Sequence, residues 1–363
     1  VRRELPLVTP LAETAWRSLA VTPADIDGLL ARGVPFHLAV NKVQDIRPAL
    51  RTVPKRLAAG ETLYLVNAHE YMPRLRRFVY QLGRASGFAG RPFRTFLFRV
   101  DAPGRLVLGM HDDGDTELAW LQFAGERFTT FGSRGATGPK RSLRAANGNR
   151  AGWFEGGLAP GDLIYLPPYA PHNVHCRKPS IAVSVYWEPV NAAAAAGDWL
   201  LDIGAPDGRS FPPARAVAGM LRKGAAAAGG EAYARWLAGV ATDDGAHDRP
   251  AAANRAPWAA KTRVSAWRAF EVLAQGRNAV LRAGGDLEIA FPKVAAPTLA
   301  RLAHYGAGTV EKLQRAGGLP AGQLGVLLDA LAAEGLIVAG ELPLVGDFEP
   351  ASLSGWDYSI TDR

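Results

Sequence analysis

The stretch from Phe93 to Trp187 most constrains the fold. Apolar runs with strand character occur at Phe93–Val100, Leu106–Met110, Leu118–Phe123, Phe128–Phe131, Asp162–Leu166 and Ile181–Trp187, separated by glycine or proline turns. Many short strands at such spacing suggest a sandwich or a barrel. Upstream, strand-like segments at Phe36–Val40 and Thr62–Val66 alternate with helices. One helix starts at Thr22-Pro23-Ala24-Asp25, with Ile26, Leu29 and Leu30 as its apolar side. Another is opened by Pro73 and puts Leu75, Phe78, Val79 and Leu82 on one face before Gly83–Gly90 ends it. Helices in front and strands behind predict an α+β chain built on a double-stranded β-helix with a helical buttress.

With 363 residues the chain exceeds one domain of ordinary size. The texture changes after Pro189. Residues 191–262 are alanine-rich, with helical pieces near Asp198–Ile203, Ala214–Arg222 and Glu231–Val240, and read as a helical connector or dimerisation segment. Within them Thr242–Pro257 resembles an exposed linker. Residues 263–345 form a further unit. Two short strands flank Ala283-Gly284-Gly285, a helix runs Pro297–Tyr305, and Thr309 caps another through Arg315. A third helix, Pro320–Glu334, carries Leu324, Leu327, Leu328 and Leu331, and a strand begins at Leu336. This order predicts a winged helix. The expected division is a barrel domain at 1–190, the connector at 191–262, the winged helix at 263–345 and a tail at 346–363.

Forty-two Lys and Arg against 34 Asp and Glu give a net charge of +8. The balance suits an anionic partner such as nucleic acid, a ribosomal particle or an acidic peptide, and equally suits arginine-filled solvated faces. The helix in the recognition position, Ala321–Glu334, has no Lys or Arg, which argues against reading duplex DNA. A single cysteine, Cys176, excludes an internal disulfide and a cysteine zinc site, and reads as a small strand residue. No apolar run approaches the ~20 residues of a membrane span, and the basic N-terminus lacks an apolar signal core. The expectation is a cytoplasmic protein without a membrane partner.

Side chains two apart on a strand point to the same side. His111 and Asp113, at the end of the run Leu106–Met110, therefore present an imidazole and a carboxylate together, with Asp112 facing away and Asp115 beyond Gly114. About sixty residues later a Pro160-Gly161-Asp162 turn feeds a strand, Pro167-Pro168 turns it, and His172 follows. His172 and His175 are three apart, so only one can face inward; His172 is expected, because it follows the turn directly. Two imidazoles and a carboxylate cap one face of iron(II) and leave three positions open. His37, His69, His247 and His304 lack such a setting and read as packed or surface residues.

The run from His111 through Leu118-Ala-Trp-Leu-Gln-Phe-Ala-Gly125-Glu-Arg127-Phe resembles JmjC-type hydroxylases of the cupin superfamily, as does the distal Pro-Gly-Asp, Pro-Pro and His172 series. In domain order the chain is similar to bacterial ribosomal oxygenases within that family. The resemblance implies Fe(II) held by His111, Asp113 and His172, with 2-oxoglutarate as co-substrate. The family's co-substrate clamp, commonly a lysine two residues after the glycine turn, falls on Arg127, which can hold a carboxylate with two parallel hydrogen bonds. Thr95 is a candidate for a second hydrogen bond. Leu108 and Met110 stand where the family often has a polar residue. The resemblance further implies a homodimer and hydroxylation of a peptide or protein residue. Two alternatives remain: a small-molecule biosynthetic oxygenase with the same site, and a non-catalytic cupin and winged-helix protein attached to nucleic acid or the ribosome. The loop Gly132–Gly152 carries Arg134, Lys140, Arg141, Arg144 and Arg150, and reads either as a mobile solvated loop or as a lid that recruits an acidic substrate. Its Gly-Ala-Thr-Gly-Pro-Lys stretch departs from a P-loop.

Overall fold

The computed structural model describes residues 5–40, 43–45, 48–102, 109–189, 231–242, 258–284 and 287–346. The chain forms two compact units, one of residues 1–75, 93–189 and 343–363, the other of residues 76–92 and 190–342.

Among its described residues the first unit contains ten strands: β1 (Leu7–Pro10), β2 (Phe36–Val40), β3 (Val43–Asp45), β4 (Thr62–Val66), β5 (Phe93–Val100), β6 (Glu117–Gly132), β7 (Lys140–Ser142), β8 (Trp153–Leu158), β9 (Asp162–Leu166) and β10 (His172–Trp187). They make one sheet in the order β1-β9-β6-β10-β5-β4-β2-β3, with β8 also on β6 and β7 on β8. Every pairing is antiparallel except β7 with β8. The first half of β6 pairs with β9 and its second half with β8. Phe154 and Leu158 of β8 nevertheless share an apolar cluster with Ile164 and Leu166 of β9 and with Leu118, Phe131 and Ala182. The sheet curves around this cluster, as the alternation of apolar residues along its strands requires.

The two expected strands Leu118–Phe123 and Phe128–Phe131 are parts of the single 16-residue β6. Gly125 is not a turn. It faces Ser180 where β10 carries extra residues after Cys176, so the partner bulges and β6 continues. At φ 70° its backbone is left-handed, and a Cβ there would stand 1.7 Å from the Pro179 carbonyl oxygen. Gly125→Ala is expected to destabilise the fold by about 3 kcal/mol or more, read as a lower urea midpoint. The expected strand Leu106–Met110 lies mostly outside the described residues. Residues 106–108 lie outside the described residues, and Gly109 and Met110 are irregular.

The helix Pro23–Ala31 begins as its sequence dictates. Thr22 Oγ1 accepts from the Asp25 amide, the Asp25 carboxylate accepts from the Thr22 amide, and Ile26, Leu29 and Leu30 are buried.

The second unit opens inside the helix Pro73–Ser86, from Arg76 onward. Its later strands are β11 (Arg263–Ala266), β12 (Glu271–Gln275), β13 (Asn278–Ala283), β14 (Leu287–Pro292), β15 (Ala307–Thr309) and β16 (Ile337–Ala339). They form two three-stranded antiparallel sheets, β15-β11-β16 and β12-β13-β14. Helices Ala296–Leu302, Val310–Gly317 and Ala321–Ala333 pack a core that includes Leu324, Leu327, Leu328 and Leu331. Thr309 caps the middle helix by accepting from the Lys312 amide. The helix expected to reach Tyr305 stops at Leu302, because His304 and Tyr305 take left-handed backbones with φ 54° and 64°. Arg76 is fully buried, with its guanidinium over the Trp267 ring and donating to the Tyr305 hydroxyl and the Trp267 carbonyl. Of the expected connector, only residues 231–242 and 258–262 are described, and they include the helix Glu231–Ala241. The expected tail lies almost wholly outside the described residues. Among the described residues no single helix is long and apolar enough to cross a membrane.

Candidate metal centre

His111 and His172 are joined by their backbones. The His111 amide donates to the His172 carbonyl at 3.0 Å and the reverse bond is 2.7 Å, an isolated antiparallel bridge to the first residue of β10. Directly opposed residues in such a bridge hold their side chains close, and the two imidazole centroids are 4.3 Å apart. Each ring is fixed in the same way. His111 Nδ1 pairs with the Gly109 carbonyl at 2.9 Å and His172 Nδ1 with the Ala170 carbonyl at 3.0 Å. A carbonyl only accepts, so Nδ1 carries the proton and Nε2 keeps its lone pair.

Asp113 closes the group. Its carboxylate oxygens lie 4.0 Å from His111 Nε2 and 3.5 Å from His172 Nε2. One donor atom from each of the three residues falls within 4.8 Å of the others. Asp113 reaches this place from a turn rather than from a strand. Asp112 Oδ1 accepts from the Gly114 amide at 2.9 Å, and Gly114 is left-handed at φ 63°. Around the two ligands themselves, the described residues form a bridge followed by an Asx turn.

The donor set fits a divalent cation. Asp113 Oδ2 is buried and has no hydrogen-bond partner. The carboxylate faces two nitrogens that are themselves acceptors, Oδ1 toward His111 and Oδ2 toward His172, an arrangement that a cation between them resolves. Burial pushes the His172 imidazole below its ordinary pKa against the pull of Asp113, which favours the neutral ligand form.

His175 projects from the opposite face of β10, where its ring packs 5.1 Å from Phe128. His69 pairs with Thr95, and His304 with Tyr80 and Arg84. His37 is buried with Nδ1 unpartnered and belongs to no metal-competent group among the described residues. His247 lies outside them.

Arg127 is on the same face of β6 as Phe131, the register partner of His172. It is buried, its Nε donates to Ser180 Oγ at 3.0 Å, and Nη2 has no partner. Its guanidinium packs over Phe98 and Trp120 at 5.2 and 5.4 Å. Tyr64 adds an edge-on ring to Phe98, and burial pushes its phenol up. The Trp120 Nε1 is a second buried donor without a partner, and it was not singled out from the sequence. Its place on β6 gave the only signal: it shares a face with Leu118. Four residues separate Arg127 from the level of His172, about 13 Å along a strand. Subtracting the reach of both side chains leaves room for a short dicarboxylate.

Thr95 is not brought to this group. It alternates with Phe96 and Phe98 along β5, and its hydroxyl is engaged by the His69 amide at 3.1 Å and His69 Nδ1 at 2.9 Å. Cys176 is buried on the inner face of β10, 3.3 Å from Ser180 Oγ. The basic loop is partly ordered by its own ion pairs. Arg144 holds Asp162 with two bonds of 2.6 and 2.7 Å, Lys140 pairs with Glu155, and Arg134 covers the Tyr169 ring. Those three cations are engaged with this chain, which weakens the reading as an anion-recruiting lid.

Residues 103–194 match the JmjC domain family. No curated protein sequence matches the chain. Its fold is similar to that of Escherichia coli ribosomal oxygenase YcfD, at 17% identity and a TM-score of 0.59, over 92% of this chain and 94% of that one. The YcfD complex with cobalt and 2-oxoglutarate gives 16%, 0.60, 94% and 96%. Its complex with cobalt and succinic acid gives 18%, 0.60, 93% and 95%.

Proposed function

From a chain that carries a JmjC domain at residues 103–194, we propose an Fe(II)- and 2-oxoglutarate-dependent oxygenase that hydroxylates a residue of a peptide or protein. The observation that carries this reading is the Asp113 carboxylate, with its buried Oδ2 unpartnered, facing two Nε2 atoms whose rings are locked by carbonyls. When bound, iron(II) and 2-oxoglutarate activate dioxygen and place one oxygen atom on a substrate carbon as succinate and carbon dioxide leave. The protein supplies the rest. His111, Asp113 and His172 would hold the metal through two imidazole nitrogens and one carboxylate, a donor set that would leave positions for co-substrate and dioxygen. Asp113 offsets one of its two charges. Arg127 holds the distal carboxylate of the co-substrate, and Trp120 Nε1 supplies a further hydrogen bond. Phe98 and Trp120 keep water from that ion pair, which strengthens it. The YcfD complexes with cobalt, 2-oxoglutarate and succinic acid support this assignment through the shared fold.

The test is an anaerobic titration of iron(II) and 2-oxoglutarate. A weak visible charge-transfer band that needs both is expected; its absence overturns the proposal. Trp120→Phe keeps the packing and removes one neutral hydrogen bond, worth about 1 kcal/mol. It is expected to raise the 2-oxoglutarate requirement about fivefold in the same titration.

The second unit supports a winged helix, because its helices alternate with β15 and β16 in that fold's order. Homodimerisation through 191–262 rests on domain order and on the alanine-rich sequence. Light scattering at micromolar concentration should give twice the chain mass.

A further inference from the structure

Four described residues other than glycine have a left-handed backbone: Asn67, Tyr169, His304 and Tyr305. Asparagine tolerates that region. His304 and Tyr305 are held by contacts within their own unit, to Tyr80 and to Arg76. Tyr169 has no such explanation. At φ 59° it is in a region that costs a bulky residue energy and that glycine enters freely. Yet its side chain is 44% exposed and fills no core.

The backbone of Tyr169 does have a structural task. Its amide donates to the Gly114 carbonyl at 2.6 Å, beside Asp113, and the next carbonyl, that of Ala170, orients His172. The turn therefore needs the left-handed conformation, but it does not need a ring. The ring is held in place by the guanidinium of Arg134, 4.7 Å from its centroid. Across the bridge, Met110 precedes His111 and is 50% exposed. Only six large hydrophobic residues are exposed among the described ones, and two of them adjoin the metal ligands. Backbone strain retained at such a place points to a role for the side chain.

We infer that Tyr169 is a specificity-determining residue, the platform on which a side chain of an extended polypeptide substrate stacks as the chain crosses the metal centre. Met110 receives the chain on the other side. Apolar surfaces flanking both sides of the reactive position suit a polypeptide better than a metabolite enclosed in the barrel. The inference rests on the protein-hydroxylase reading above.

The test uses the full chain with Tyr169→Gly, Tyr169→Asn and Tyr169→Phe, loaded with iron(II). Glycine and asparagine keep the turn and remove the ring; phenylalanine keeps both. Each protein is incubated with 2-oxoglutarate and a randomised synthetic peptide library, and peptides that gain one oxygen atom are sequenced by mass spectrometry. The expected result is at least a tenfold loss of product for Tyr169→Gly and Tyr169→Asn, with recovery in Tyr169→Phe. The residue preference next to the hydroxylated position should be lost with the ring. Melting temperature should not fall in Tyr169→Gly, and the charge-transfer titration should match that of the parent. Parental yields and preferences in the ring-less variants overturn the inference and leave the hydroxylase reading standing. A lower melting temperature together with a weakened charge-transfer band would make the ring structural and also overturn it. A parent enzyme that oxidises no peptide overturns both.

Discussion

Alanine at His111, Asp113 or His172 is expected to abolish the iron-dependent charge-transfer band and all turnover, whereas His175→Ala keeps both. Loss of a hydrogen bond that merely supports a metal ligand costs 10–100-fold in affinity. Loss of a ligand from a three-residue set removes more, because two donors cannot cap a face. The carboxylate variant should be the most damaging: without Asp113 the two Nε2 atoms lose the negative charge that draws a cation between them. His175 lies on the opposite face of β10 against Phe128, so its removal touches only that packing. Iron affinity measured by anaerobic competition with a chromophoric chelator decides the matter. A His172→Ala protein that binds iron normally, beside a His175→Ala protein that does not, would falsify the assignment.

Arg127→Ala is expected to raise the apparent 2-oxoglutarate requirement by roughly 30-fold to several thousand-fold. That range corresponds to the 2–5 kcal/mol lost when one member of a buried, hydrogen-bonded charge pair is truncated. The protein without co-substrate should lose little stability. Its Arg127 is a buried cation that no carboxylate pairs with among the described residues, and such a group stabilises a fold only when an anion joins it. Arg127→Lys should fall between the two, because an ammonium cannot make two parallel bonds in one plane. Titration of the charge-transfer band with 2-oxoglutarate at fixed iron measures the shift. An unchanged midpoint would move the clamp to another residue.

Where sequence reasoning worked, it worked through periodicity. The helix at Thr22–Asp25 followed from a cap and three apolar positions; strand alternation left only one of His172 and His175 to face inward, and the turn directly before His172 chose between them. Where it went astray, a non-local contact had overruled the local pattern. Gly125 looks like a turn by itself, but the irregularity is taken up by a bulge after Cys176 on the partner strand and an extra residue at Phe123, and β6 runs through. His111 and Asp113 converge through a bridge to His172, a residue no local window contains. Tyr305 continues a helical pattern, yet its hydroxyl accepts from Arg76 and its ring packs edge-on against Tyr80, and its backbone leaves the helix. Trp120 was invisible as a functional residue because an apolar strand position says nothing about which ring nitrogens lack a partner. Thr95 was a reasonable polar candidate until His69 came near it from another part of the chain.

The helix Pro73–Ser86 has a consequence for biosynthesis. From Arg76 onward it belongs to the unit whose other residues begin at 190, and its fully buried arginine meets Tyr305, 229 residues later. At ~5–20 residues per second the ribosome takes roughly 10–50 s to deliver that partner. Through that interval Arg76 lacks Tyr305 and Trp267, and Tyr80 lacks His304 and Tyr305, the partners they meet in the finished protein. The nascent chain therefore carries an unfinished amphipathic helix while the rest of the first unit is emerging. Ribosome-associated holdases should engage it there, and a circularly permuted gene that begins at residue 93, so that residues 76–92 are made after 258–342, should fold with less dependence on them.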